Sequence, residues 1–276
     1  MLESLNLKRK LSKPAYSRTM PQLQDRLRRL QYEARAAGIA TILCLEGWEM
    51  SERGQVVQTL TEKLDPRLIR VFRGVPPSSF EQRYHFLWRY EIALPSHGEM
   101  AVFDHSWYCR VLEDRCDKVV KKRVWQQAYP QIAHFERWLT DDGQIVIKFW
   151  LHISKKEQKK RIRKTLRNPL LRWKVTKDTK RQHKRYSKWI MAVEEMVAKT
   201  NAAQAPWTLV EANDSHWARV RVFRTIIDRL EKALAQRKAR EEQLGRAAKK
   251  KAAAKDAAPG KEEYGAGPRI VAKGAA

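Results

Sequence analysis

Residues 39–54 read IATILCLEGWEMSERG, and the fold follows from how this stretch is taken. Its first seven residues are apolar almost without a break and include the β-branched Ile39, Thr41 and Ile42. Such a run, with no polar alternation, suits a strand buried on both faces, as in a parallel sheet. A loop follows from Glu46 to Arg53, and a helix is expected over 54–64. A loop between a strand end and a helix N-terminus is where backbone N–H groups can cradle phosphate. The standard form has glycines for close approach, a Lys for phosphate charge and Ser or Thr for Mg²⁺. Here Gly47 and Gly54 remain. Glu52 stands in a glycine slot, Arg53 in the Lys slot and Gln55 in the hydroxyl slot. Taken alone, the stretch reads more readily as an ordinary strand-to-helix loop.

Working outward, further strands are expected at 68–72, 100–103, 145–153 and 207–210. Helical spacing marks 20–37, 117–140 and 215–248, and Ser78 or Ser79 is placed to cap a helix over 79–92. Strands alternating with helices predict an α/β fold of βαβ units around a parallel sheet. Residues 1–19 read as a loose basic arm, 20–235 as the domain, and 236–276 as a helical extension with a disordered Lys/Ala-rich tail from 249.

Lys and Arg number 57 against 31 Asp and Glu in 276 residues, a net charge of +26. A surface this positive concentrates phosphate-rich ligands. The three cysteines, Cys44, Cys109 and Cys116, lack metal-ligand spacing and suit a reducing compartment. No apolar run approaches the ~18 residues of a membrane span, and the first residues are polar and basic, so a cytoplasmic protein is expected.

Two more stretches could carry chemistry. In Phe103-Asp104-His105-Ser106-Trp107-Tyr108-Cys109-Arg110, Asp104 closes a strand, where a carboxylate can hold Mg²⁺. A helix N-cap explains Asp104 equally well, and Ser106 could fill that role too. His105 reads as a hydrogen-bonding partner rather than a base. The second stretch, 154–188, is dense in Lys and Arg, poor in acids and broken at Asn168-Pro169, so it reads as an anion-binding surface. Beyond Trp173, Tyr186 and Trp189 few aromatics interleave it, which disfavours nucleic acid as the partner.

Together these stretches resemble the family 2 polyphosphate kinases over roughly residues 15–232. The matching text comprises Leu94-Pro95, Gly98-Glu99, Phe103-Asp104, Ser106-Trp107-Tyr108 and Arg110. It continues through Phe135-Glu136-Arg137, residues 148–154 (KFWLHIS), Gln158, Pro169-Leu170, Trp173-Lys174 and Ala205-Pro206-Trp207. The resemblance implies the three-layer sandwich of P-loop kinases with a helical lid at about 154–188. It also implies an enzyme that moves phosphoryl groups between inorganic polyphosphate and nucleoside mono- or diphosphates with Mg²⁺. It makes Glu49 and Asp104 metal ligands, and Glu49, Arg53, Asp104 and Arg110 catalytic. Gly47, Arg53, Gly54, Lys148, Arg172 and Lys174 become phosphate-binding. A homo-oligomer away from membranes is expected.

The first loop departs from the family text and reads as a degenerate Walker A loop. Glu49 is a methylene longer than the family's Asp, Glu52 adds a negative charge and Arg53 replaces Lys; the lid has Thr165 near where many members carry Arg. Such changes matter because phosphoryl transfer depends on positioning and charge. Double-domain members pair an intact domain with a degenerate one, and this chain is more like the degenerate kind. The alternative left open is a catalytically impaired polyphosphate- or nucleotide-binding protein acting as regulator or scaffold.

Overall fold

The computed structural model describes residues 1–256, with side chains to residue 248. Its elements run α1 (Lys13–Ala36), β1 (Thr41–Gly47), α2 (Arg53–Thr61), β2 (Ile69–Arg73), the one-turn α3 (Trp88–Glu91), β3 (Met100–Asp104) and α4 (Glu113–Cys116). There follow α5 (Lys122–Asp141), β4 (Ile145–His152), α6 (Lys155–Leu166), α7 (Lys177–Lys184), α8 (Tyr186–Thr200), β5 (Trp207–Glu211) and α9 (Ser215–Asp256). The five strands pair in parallel in the order β2-β3-β1-β4-β5. Met1–Ala235 form one compact unit, and a second begins at Gln236.

The sheet's centre follows from its sequence. Every residue of β1 and β4 is buried, as continuous apolar strands between helical layers must be. β2, at the edge, exposes its middle residues. From β1 the chain passes to β2 and β3 on one side and later to β4 and β5 on the other. β1 is therefore the switch point of the sheet, and a crevice opens at the carboxyl ends of β1 and its neighbours, where open α/β sheets bind ligands.

Two expectations need correction. Residues 1–19 are not a loose arm. Leu2 is buried, Leu5 and Leu11 pack on the core, and Glu194 accepts from the Met1 ammonium and the Leu2 amide. Ser12 then caps α1, with Pro14 in its first turn, so the helix starts seven residues before the expected 20. The helix expected over 79–92 is also absent. Only a 3₁₀ turn (Glu81–Arg83) and α3 form there. Ser78 Oγ accepts from Glu81 N, the Glu81 carboxylate accepts from Ser78 N, and Tyr84 stacks on Trp88 at 4.3 Å. These local side-chain contacts satisfy the backbone and aromatic groups without a helical ladder. Of the expected tail, 249–256 belong to α9, and 257–276 lie outside the described residues.

Candidate active site

The loop after β1 is built by close packing. A Cβ on Gly47 would lie 2.8 Å from the Leu151 carbonyl, so only glycine lets β1 pass β4 there. Trp48 is fully buried, stacks on Tyr186 at 4.1 Å and donates from Nε1 to His152 Nδ1 at 3.1 Å. Met50 and Glu52 take left-handed backbone conformations (φ 66° and 69°), turning the chain into α2. Among the described residues, the first amides of α2, from Arg53 and Gly54, meet no acceptor, and Gly54 faces open space. Unpaired N–H groups at a helix start are the kind that can accept an anion.

Arg53 does not reach outward to such a ligand. Its side chain is 9% exposed and turns back beneath the loop. Nε donates to Asp104 Oδ1 at 3.0 Å and Nη2 to Glu49 Oε1 at 3.2 Å. Nη1 donates to the carbonyls of Gly47 and, at 3.3 Å, Trp48. Nη2 also lies against His105 Nε2, and His105 Nδ1 is 3.2 Å from Glu113 Oε1. Burial alone would raise the Glu49 carboxyl, but His105 and Arg53 outweigh it and hold it at about 2. Deeper in, burial pushes Glu46 up to about 7, although His105 and Ser106 pull the other way. Ser106 donates from both N and Oγ to Glu46 Oε1 at 2.7 Å. Ser106 also caps the 3₁₀ turn Trp107–Arg110, so capping falls to it and not to Asp104.

The Mg²⁺ implied by the family text does not fit the Glu49–Asp104 pair as folded. Arg53 engages one oxygen of each carboxylate, and Thr179 Oγ1 donates to the other oxygen of Glu49 at 3.3 Å. The Arg53 guanidinium thus occupies the space between the two carboxylates, and a cation seated on both would have to displace it.

The basic segment is two helices around a bend, as expected, with the 3₁₀ turn Arg172–Lys174 at its tip. Arg172 and Lys174 are exposed there, while the base of the segment is tied to the loop. Glu49 N donates to Gln182 Oε1 at 2.8 Å, and Gln158 Nε2 to the Glu49 carbonyl at 3.2 Å. Arg161 donates to the carbonyls of Met50, Ala212 and Asn213 and lies 3.8 Å from the Glu52 carboxylate. Glu52, the negative charge added to the loop, thus has a cation beside it. Gln158 belonged to the matching family text, but Thr179, Gln182 and Arg161 were not singled out from the sequence, because polar residues in a basic helical run carry no local mark of what they will touch.

Two predicted residues stand apart from the cluster. Lys148 cannot bind phosphate as placed. It is fully buried on β4, its Nζ 2.6 Å from Glu136 Oε2 and donating to Tyr108 Oη and the Thr200 carbonyl. Glu136 in turn accepts from Trp107 Nε1 and Tyr108 Oη. Burial raises the Glu136 carboxyl, and Lys148 opposes the rise. Arg110 pairs with Asp114 at 3.0 Å and lies over the Phe86 ring, touching neither Glu49 nor Asp104. A trio that the sequence reading passed over is His105, Cys109 and Glu113, spaced four apart, whose ligand atoms lie within 4.8 Å of one another.

Comparison with known proteins accords with this architecture. The family model for polyphosphate kinase 2 (PPK2) matches residues 10–238. A polyphosphate:AMP phosphotransferase from Pseudomonas syringae pv. tomato is 37% identical over 238 residues, covering 86% of this chain and 48% of the relative. An NDP-polyphosphate phosphotransferase 1 from Ruegeria pomeroyi is 30% identical over 220 residues, covering 80% of this chain and 72% of the relative. The crystal structure of polyphosphate kinase 2 from Arthrobacter aurescens TC1 superposes with a TM-score of 0.80 at 28% identity, covering 84% of this chain and 85% of that one. The chain spans about half the length of the first of these relatives. No helix among the described residues is long and apolar enough to cross a membrane. With the family model covering most of the chain and the parallel sheet shared with a solved member, the chain belongs to the polyphosphate kinase 2 family.

Proposed function

We propose that this chain transfers phosphoryl groups between inorganic polyphosphate and a nucleoside mono- or diphosphate. One observation carries the reading: the carboxylate–arginine cluster sits at the carboxyl ends of β1 and β3, beside the open N-terminus of α2 and against a helical segment with an exposed basic tip. In the transfer, a bond between the terminal phosphorus of polyphosphate and its bridging oxygen breaks. A bond from a nucleotide phosphate oxygen to that phosphorus forms, and the polymer leaves one unit shorter. The protein's part is to position the two anions and balance their charge.

The Arg53 and Gly54 amides are the cradle for one phosphate, and Arg172 and Lys174 bring positive charge to the other side. Arg53 holds Glu49 and Asp104 in place beneath them. The choice between AMP and diphosphates is drawn from the relatives, one named for AMP and one for NDP. Mg²⁺ has no seat at the Glu49–Asp104 pair in this arrangement. The same Arg53 contacts favour a second reading, a chain that binds polyphosphate or nucleotide and turns over little.

Incubating the chain with polyphosphate, Mg²⁺ and AMP or ADP, and following ADP or ATP by chromatography, separates the two. The enzyme reading expects product that disappears in Asp104→Asn while circular dichroism stays unchanged. Polyphosphate binding with no product from any nucleotide would replace it with the second reading.

A further inference from the structure

The guanidinium of Arg53 lies where the two carboxylates of the site come together, and each contact has a chemical consequence. Its Nε side is committed to Asp104 and its Nη2 side to Glu49, while Nη1 is fixed by the carbonyls of Gly47 and Trp48. A planar fork of donors can bridge two carboxylates in this way, whereas a compact ammonium would reach fewer of these partners at once. Arg does not lose its proton in proteins, so the positive charge is permanent.

We propose that Arg53 is the resident cation of the Glu49–Asp104 pair, and that the free chain therefore seats no divalent metal ion there. A divalent ion at this place would lie beside a buried guanidinium with little water between them, and would have to displace it from both carboxylates. Glu49 is held from a second direction as well. Thr179 Oγ1 donates to its other oxygen, Gln182 accepts from its amide and Gln158 donates to its carbonyl. Freeing the Glu49 carboxylate for a metal would mean breaking its bond to Thr179 of α7 as well as moving Arg53. In this chain Glu49 acts as a latch between loop and lid. The inference concerns the free protein and holds whether or not the chain turns over nucleotide.

Titration of the full chain with Mn²⁺, followed by the electron paramagnetic resonance signal of the free ion and without any phosphate compound, tests it. Wild type is expected to show no one-to-one site tighter than about 1 mM, the weak end of oxygen-ligand sites. Arg53→Gln removes the charge and should create one site at least ~10-fold tighter, lost again when Asp104→Asn is added. Thermal melts by circular dichroism establish that each variant is folded. If Arg53→Gln does not fold, Arg53→Ala, which also removes the charge, carries the same comparison. A wild-type chain that binds one Mn²⁺ tightly and loses it in Asp104→Asn overturns the proposal. So does a folded Arg53→Gln, or Arg53→Ala in its place, that gains no site.

Discussion

Replacing Lys148 by Met should unfold this domain far more readily while leaving polyphosphate recognition by the native fraction intact. The side chain is fully enclosed and uses its ammonium on Glu136 Oε2 (2.6 Å), the Thr200 carbonyl (2.7 Å) and Tyr108 Oη (3.0 Å). Met fills much of the same volume but leaves Glu136 without its cation and the Thr200 carbonyl without that donor. Breaking a buried pair from one side costs about 3–5 kcal/mol, a large share of the roughly 5–15 kcal/mol that holds a domain folded. For a domain of this size that corresponds to a fall in Tm of about 6–20 °C.

The double variant with Glu136→Gln should recover most of the loss, because no uncompensated charge remains. The pH dependence has a definite sign. Without Lys148, the buried Glu136 carboxyl has a folded pKa above its unfolded value, so the folded state holds a proton the unfolded chain releases. The single variant's deficit should therefore grow from pH 5 to pH 8. Urea and thermal unfolding at the two pH values, with polyphosphate titration below Tm, are the assays. A variant whose Tm moves by less than about 2 °C while its polyphosphate affinity drops ~10-fold would refute the buried pair and return Lys148 to the phosphates.

Gly47→Ala should cost about 1–3 kcal/mol in urea unfolding, because the added Cβ meets the Leu151 carbonyl at 2.8 Å and Leu151 Cβ at 2.9 Å; an unchanged midpoint would show that the loop has room to spare. Arg172→Ala with Lys174→Ala should leave Tm where it is, since both are exposed, while weakening polyphosphate binding and flattening its salt dependence by roughly two ions. An unaltered slope would remove the tip from the anion site. His152, held by burial at about 4, accepts from both Trp48 and Trp150. Its depressed folded pKa means that stability present above pH 6.5 is lost as pH falls toward 4, by up to about 3 kcal/mol. His152→Gln should flatten that acid limb, and an equally steep limb in the variant would place the titrating group elsewhere.

The amino-acid sequence by itself determined the parallel α/β sheet and the five strands in their order along the chain. Buried strands between helices require continuous apolar text such as residues 39–45 and 145–153, which no other role explains. It also carried the family, because the matching motifs are contiguous and survive without geometry. The direction of each charged side chain was decided only by tertiary structure. Lys148 reads as a free cation until α5 brings Glu136 beneath β4. Arg53 reads as a phosphate ligand until β3 sets Asp104 beside β1 and turns the guanidinium inward. Glu52 reads as a repulsive charge until Arg161, 109 residues later, comes to its side. Local pattern records what must be buried, through hydrophobicity and period. Which opposite charge a buried or half-buried ion meets depends on contacts between distant segments, and those exist only once the chain has folded.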